Sequence, residues 1–315
     1  MNSNEPRRPL AAIAKFAIAC CSLATLAHAA PAEDLKGYAE LDVKPSATDP
    51  SIRAYDLPSR VFYDPAKRDS KILLWLAGTK GTSEHFPKDL LELALAHSYR
   101  VIVLSYITDP AVSQECIGGA LRADPDCAAK FREKRIYGNN SFSLISDQPQ
   151  DAIVHRLGKL LAYLDRTDPN GHWATYLQAG EVNWKRFTLS GQSQGGGMAE
   201  FLGQRETVDR VLAFSGGWDF ASRGHIAAWY SGKSRTPSER WYGTYHVKEK
   251  QAAALAASYK ALGIPGNHVF ALDGPLPDDR RVRSENPYHG QGASNPAYRA
   301  IWTTMLGDGK IEESP

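Results

Sequence analysis

A serine in a glycine-flanked turn is the most informative feature of the sequence. Ser193 lies in the segment GQSQG (residues 191–195), which fits the pattern G-x-S-x-G. An apolar run precedes this segment and an amphipathic stretch follows it, as expected for a strand that runs into a helix. Glycine is needed in such a turn where a side chain would collide with neighbouring backbone. The pattern predicts that Ser193 is a nucleophile.

A serine hydroxyl is a poor nucleophile at neutral pH and needs a general base. When the serine lies on a strand-to-helix turn of this kind, the acid and then the histidine follow it in the chain. His289 is the histidine that follows the last predicted strand. We therefore predict that His289 is the general base.

The carboxylate that would orient this histidine has two main candidates. Glu249 directly follows a predicted strand at 243–247, and Asp219 follows the strand before it. A carboxylate at either place could fix the imidazole tautomer and stabilise the imidazolium. We rank Glu249 first, keep Asp219 as the alternative acid, and place Asp273 third.

An oxyanion hole needs two backbone N–H groups directed at the developing negative charge. Gln194, immediately after the proposed nucleophile, is expected to supply one of them. The segment GTKG (residues 78–81), which follows an early strand, offers Thr79 as the second donor.

The rest of the chain alternates between short apolar runs and amphipathic stretches, a pattern typical of βαβ units. Several of the runs are apolar on both faces, as in strands covered by helices. The sequence therefore predicts one α/β domain with a mostly parallel sheet flanked by helices. Predicted helices cover 86–94, 153–164 and 252–262, and predicted strands lie near 61–63 and at 71–77, 100–106, 186–190, 210–215, 243–247 and 268–273.

A long excursion separates two of these elements at residues 107–147 and contains Cys116 and Cys127. Long loops in compact domains are usually functional or disordered. In an exported protein this cysteine pair is expected to form a disulfide. We interpret the excursion as a loop that caps the end of the sheet and is pinned by that bridge, and we predict no metal site because no further ligands lie at matching spacing.

Residues 1–29 are predicted to be a secretory signal peptide. Three basic residues precede the apolar run FAIACCSLATLA, and the sequence Ala27-His28-Ala29 offers a cleavage site. A lipoprotein acylated at Cys20 and twin-arginine export remain open. The expected location is the periplasm or the extracellular space. Residues 30–60 are assigned to an N-terminal extension, polar and irregular over residues 31–50, and the first strand region, and residues 61–315 to the α/β domain.

Charge and hydropathy exclude several partners. The 315 residues include 37 basic and 35 acidic residues without a long run of one sign. This balance gives no electrostatic footprint for nucleic acid. The sequence also contains no apolar run of the roughly 20 residues that a transmembrane helix needs.

These motifs resemble the α/β-hydrolase superfamily, and in particular secreted bacterial hydrolases with S-G-H-S-Q-G-G-G at the serine. In that group a G-T-G-G-T loop, a segment H-x-x-D and a late H-G are matched here by residues 78–82, 246–249 and 289–290. Three residues depart from the pattern: Gln192 and Ala77 each replace a histidine, and Glu249 replaces an aspartate.

The resemblance implies hydrolysis of an ester or related acyl bond through an acyl-serine intermediate, without a metal or organic cofactor. The substrate would be a small-molecule or lipid-like ester, and the aromatic residues at 218–245 could supply apolar walls for it. Two other interpretations remain: a non-catalytic binding protein on the same fold, and a serine peptidase or acyltransferase with the same triad. The sequence leaves the substrate and the oligomeric state undetermined.

Overall fold

The computed structural model describes Met1 and residues 37–139, 141–277 and 285–311. The chain separates into two units, Met1–Ala32 and Glu33–Pro315, and every described helix and strand lies in the second. The predicted signal peptide at 1–29 falls outside the described residues, apart from Met1. No helix of the described residues combines the length and the apolar character that crossing a membrane requires.

An eight-stranded sheet forms the centre of the second unit, in the order β1-β2-β4-β3-β5-β6-β7-β8. β2 pairs antiparallel with both β1 and β4, and all the other pairings in the sheet are parallel. The predicted mostly parallel sheet is therefore confirmed. The strands are Ala39–Val43 (β1), Ser59–Tyr63 (β2), Ile72–Leu76 (β3), Arg100–Val103 (β4), Phe187–Gln192 (β5), Arg210–Phe214 (β6), Trp241–His246 (β7) and Val269–Leu272 (β8).

The first strand corrects one sequence-based expectation. Residues 31–50 were expected to be polar and irregular, but Ala39–Val43 forms β1 and pairs with β2 along its whole length. Its sequence, AELDV, alternates apolar and charged residues, and Val43 is its only fully buried residue. A strand at the sheet edge can keep one face in solvent, so it lacks the continuous apolar run that marks the central strands.

Helices cover both faces of the sheet, because alternate residues of each central strand point to opposite sides. In β3, Leu74 packs into the core under α6, α7 and α8, whereas Leu73 and Trp75 pack into the core under α2 and α10. The helices are Pro45–Thr48 (α1), Lys88–Ala96 (α2), Val112–Glu115 (α3), Gly118–Ala123 (α4), Cys127–Tyr137 (α5), Ile153–Thr167 (α6), Gln194–Arg205 (α7), Ala252–Ala261 (α8), Gln291–Ser294 (α9) and Arg299–Leu306 (α10). Two short hairpins lie outside the sheet, Leu177–Gln178 with Glu181–Val182 and Phe220–Ser222 with His225–Ile226.

The excursion at 107–147 is helical rather than a loop, since it contains α3, α4 and α5. A disulfide joins Cys116, at the end of α3, to Cys127, at the start of α5, as predicted. Both cysteines are buried in the core on the α6 side of the sheet. The bridge therefore fixes the two ends of α4, which has no buried residue of its own.

Candidate active site

Ser193 occupies a strained backbone position at the junction of β5 and α7. Its φ of 57° and ψ of −120° lie in a region that residues with a Cβ rarely adopt. The side chain is at the N-terminus of α7, and 8% of the residue is exposed. The turn thus holds the hydroxyl at the carboxyl edge of the sheet.

The flanking glycines explain how this turn fits the fold. A Cβ at Gly191 would lie 2.7 Å from the carbonyl oxygen of Leu76, and one at Gly195 would lie 2.5 Å from that of Ala77. Real Cβ atoms do not approach backbone this closely, so α7 can pack against the end of β3 only with glycine at both positions.

His289 and Glu249 lie within hydrogen-bond distance of each other. Glu249 Oε2 lies 2.7 Å from His289 Nδ1. The other carboxylate oxygen, Oε1, accepts hydrogen bonds from the Ser215 hydroxyl at 2.7 Å and from the His246 backbone N–H at 2.6 Å. The Glu249 side chain is fully buried, while 21% of the His289 side chain is exposed. Glu249 is therefore held in a fixed orientation toward the imidazole.

Ser193 and His289 are brought to the same region, and no hydrogen bond joins Ser193 Oγ to His289 Nε2 among the described residues. Trp218 connects them: its ring stands edge-on to the imidazole with centroids 5.3 Å apart, and it lines the same cavity as Ser193. Catalytic hydrogen bonds are often long or poorly aligned before substrate binds, so the absence of this bond is compatible with a proton transfer between the two residues.

The alternative acids have other positions. Asp219 forms a two-pronged ion pair with Arg132, at 2.6 and 2.7 Å, and also accepts a hydrogen bond from the Trp229 indole. All three side chains are buried. Asp273 is exposed and makes no hydrogen bond to His289 in the described part of the chain.

Two backbone N–H groups near Ser193 are available to an oxyanion. No hydrogen bond of the described residues uses the N–H of Thr79 or that of Gln194. The loop carrying Thr79 lies against the serine, since a Cβ at Gly78 would be 3.3 Å from the Ser193 Cβ. Gln194 is the first residue of α7, where the N–H groups have no partner within the helix. Both N–H groups are thus without a partner in the described residues, as the donors of an oxyanion hole must be before substrate binds.

A cavity of about 210 Å³ opens beside Ser193, and we call it the first cavity. Thr79 and Gln194 line it together with residues of the excursion, including Ala111, Val112 and Ile117. Trp218 and Phe220 complete the apolar part of its wall. The other aromatic residues predicted to form walls belong mainly to the core, as Trp229, Tyr230 and Trp241 do.

Strand order and the order of the three polar residues together decide the architecture. Ser193 follows β5 at a strained strand-to-helix turn, Glu249 follows β7, and His289 follows β8, at the same edge of a sheet in which β2 alone of the described strands runs antiparallel. The chain has the α/β-hydrolase fold. Residues of the disulfide-linked excursion, between β4 and α6, line the cavity beside Ser193.

Comparisons with known proteins give a distant likeness. No family model and no curated protein sequence matches the chain. Among solved structures, the chain is similar to a dienelactone hydrolase from Anabaena variabilis, with 13% identity, a TM-score of 0.45 and coverage of 85% of this chain and 97% of that one. An S-formylglutathione hydrolase from Staphylococcus aureus gives 11% identity, a TM-score of 0.46 and coverage of 86% and 98%. A mutant of the esterase E40 gives 14% identity, a TM-score of 0.45 and coverage of 88% of this chain and 86% of that one.

Gln194 links the turn at Ser193 to the excursion, a contact that the sequence did not reveal. Its side-chain Oε1 accepts a hydrogen bond from the Val112 N–H at 3.1 Å, and its Nε2 donates to the Thr108 carbonyl at 2.7 Å. The residue expected to offer an N–H to an oxyanion therefore also fixes the start of α3. Ser215, which orients Glu249, was also missed, although its place directly after β6 could have suggested it.

Glu200 is a buried carboxyl without a hydrogen bond in the described residues. It lies on α7, two turns after Ser193, behind the backbone of Gly216 and Gly217. Burial raises the pKa of Glu200 well above 4.5; Arg132 opposes this shift and Asp219 adds to it. Glu200 is thus a second buried carboxyl close to the Arg132–Asp219 pair.

Proposed function

We propose that this protein is a serine hydrolase that cleaves an ester-type acyl bond. Ser193 is the nucleophile, His289 the general base and acid, and Glu249 the orienting carboxylate. The observation that carries the proposal is the 2.7 Å contact between Glu249 and His289, at the same sheet edge as a strained Ser193. A carboxylate on Nδ1 leaves Nε2 free to accept the serine proton.

The proposed reaction proceeds in two acyl-transfer steps. Ser193 Oγ attacks the acyl carbon while His289 Nε2 takes its proton, and the N–H groups of Thr79 and Gln194 stabilise the oxyanion. The ester C–O bond then breaks, and His289 gives the proton to the departing alcohol. A water molecule, activated by the same histidine, cleaves the acyl-serine and restores the hydroxyl.

The size and lining of the first cavity suit a short acyl group. Its volume of about 210 Å³ is below the ~300 Å³ at which pockets for drug-sized ligands begin. Among the described residues, the charged groups that line it are Arg132 and Asp219, which neutralise each other. An uncharged acyl chain of a few carbons therefore suits it best.

We also infer that the protein acts outside the reducing cytosol, in the periplasm or beyond. The Cys116–Cys127 disulfide supports this location, because structural disulfides persist mainly in oxidising compartments. The proposed signal peptide at 1–29 predicts that the purified, exported protein starts near residue 30, which N-terminal sequencing would check.

A fluorophosphonate probe tests the nucleophile. The purified protein is expected to be labelled covalently, and Ser193→Ala is expected to lose the label and to lower kcat for p-nitrophenyl butyrate by about 10⁴ or more while keeping its fold. An intact label or wild-type turnover in Ser193→Ala would refute Ser193 as the nucleophile. A wild-type protein that neither takes the label nor hydrolyses the ester would favour a non-catalytic binding protein.

A further inference from the structure

A second cavity, of about 310 Å³, lies on the other side of the loop that carries Thr79. Thr79 lines both cavities, whereas Ser193 and Gln194 line the first and Gln192 lines the second. The proposed oxyanion donor therefore stands between two openings. The carbonyl carbon of an ester bound at Ser193 carries two substituents, the acyl chain and the alkoxy group. The two cavities offer one binding site for each.

Gln192, the residue before the nucleophile, connects the walls of this second cavity. Its Oε1 would be 2.5 Å from a Cβ at Gly78, and its Nε2 would be 3.8 Å from a Cβ at Gly290. The Gln192 side chain therefore extends from the oxyanion loop to the loop of the proposed general acid. Its amide group is thus a polar part of the lining of the second cavity, next to the nucleophile turn.

The wall chemistry of the second cavity suits an uncharged apolar or aromatic group. Trp75, Phe86 and Ala293, all buried, contribute apolar surface, and Pro87 lies beside them. No Asp, Glu, Lys or Arg is among its lining residues in the described chain. His85 is an exposed residue at the rim.

Two observations assign the substrate's halves to the two cavities. Gly290, directly after the proposed general acid His289, lines the second cavity, whereas His289 itself lines neither cavity among the described residues. The departing alcohol must lie where His289 can protonate it, and the second cavity opens beside the loop that carries this histidine. The first cavity is enclosed by buried residues such as Val112 and Gln194, which suits a group that stays bound as the acyl-serine.

We propose that the second cavity binds the alcohol half of the substrate, so that the preferred substrates are esters of a short acyl group with a larger, uncharged apolar or aromatic alcohol. This inference rests on the proposed function. In acylation, the bond from Ser193 Oγ to the acyl carbon forms as the C–O bond to the alcohol breaks, and the serine proton reaches the alcohol through His289. The alcohol then leaves through the rim at His85.

Kinetics can separate the two cavities, because esters that share an acyl group form the same acyl-enzyme. A change in the alcohol site should alter acylation according to the alcohol and leave hydrolysis of the acyl-enzyme unchanged. His85→Trp narrows the rim of the second cavity, and Glu84→Trp, a neighbouring exposed residue that lines neither cavity, is its matched control. Ile117→Trp, at the 54% exposed Ile117, narrows the first cavity.

The measured quantity is the ratio of kcat/KM for 2-naphthyl butyrate to that for methyl butyrate. His85→Trp should lower this ratio at least about fivefold, as expected when a pocket rejects a group by size, and Glu84→Trp should not change it. The butyryl-enzyme of His85→Trp should also lose its partitioning to benzyl alcohol but keep its partitioning to methanol. Ile117→Trp should instead lower the ratio of butyrate to acetate esters for either alcohol.

Because a tryptophan at the rim could turn toward solvent, Ala293→Val, which adds volume to the buried wall, provides a second test. An unchanged alcohol ratio in both folded variants would overturn the inference, as would an effect of His85→Trp on acyl length alone. The proposed function fails separately: it is refuted if Ser193→Ala retains hydrolysis, whereas Ser193-dependent hydrolysis with no alcohol selectivity refutes only the second cavity's role.

Discussion

Glu249 and His289 are forty positions apart in sequence, yet their side chains meet at 2.7 Å. β7 and β8 are parallel neighbours, and both residues follow the carboxyl ends of these strands. The sheet therefore brings the pair together without any local sequence contact. Glu249 is fully buried, and its Oε1 also accepts hydrogen bonds from Ser215 and the His246 N–H. These contacts fix the carboxylate with Oε2 directed at His289.

Glu249→Gln should lower kcat for a p-nitrophenyl ester by up to about 10⁴, with little loss of thermal stability. The amide cannot stabilise the imidazolium and can favour the wrong tautomer of His289. Steady-state kinetics on the folded variant checks this expectation. Near-wild-type kcat would remove Glu249 from the triad.

Asp219→Asn is the matched comparison, with a different expected outcome. It leaves the Arg132 guanidinium buried without its carboxylate, and breaking a buried pair costs about 3–5 kcal/mol. The variant should unfold at lower temperature or denaturant concentration but keep most of its kcat while folded. A loss of kcat as deep as that of Glu249→Gln, in folded protein, would transfer the orienting role to Asp219.

The central strands and the serine turn could be predicted because their sequence signals are local. β3 is buried along its whole length, and its sequence ILLWL is a continuous apolar run. β5, FTLSGQ, is buried except for its last residue and was recognised from its place before the glycine-flanked serine. Glycines are needed around Ser193 because a side chain there would collide with adjacent backbone, and their spacing in the sequence already indicates this. The place of Glu249 after β7 also followed from chain order.

Other features depend on tertiary contacts that no local pattern records. β1 is a half-exposed edge strand, so its alternation resembles an irregular polar segment. The ionic role of Asp219 depends on Arg132, which is 87 positions away on a helix of the excursion. The hydrogen bonds of Gln194 to Thr108 and Val112 likewise join distant segments, and the sequence reveals only its place after the serine.

Gln194→Ala should raise KM for short-chain esters several-fold and lower kcat less. The change removes both side-chain hydrogen bonds to the excursion but keeps the backbone N–H proposed for the oxyanion hole. Each buried hydrogen bond contributes about 1 kcal/mol, and the partners left unpaired add to the cost. The exposed Gln148→Ala, also near the excursion, is the control. A fall in kcat with unchanged KM would show that the side chain acts on the reaction step and not on the cavity wall.

Replacing both Cys116 and Cys127 by serine should lower the local stability of the excursion more than that of the sheet. The closed loop is short, and the chain-entropy model gives about 3 kcal/mol for such a bridge. Because Cys116 lines the first cavity, KM should rise as well. Limited proteolysis should cut first within residues 107–147, while the remainder still unfolds cooperatively. Cleavage that begins in the sheet region would contradict this order.

Glu200→Gln should stabilise the protein relative to wild type increasingly as pH rises. Burial raises the pKa of Glu200 above 4.5 in the folded state, so the folded protein holds this proton to a higher pH than the unfolded chain does. Stability is therefore lost from about pH 4.5 up to the raised folded-state pKa, with a slope of at most about 1.4 kcal/mol per pH unit. Urea unfolding of both proteins across that range measures the difference, and Glu239→Gln, at an exposed site, is the control. A difference between Glu200→Gln and wild type that stays constant with pH would show that the Glu200 carboxyl is not held neutral by its burial beside Asp219.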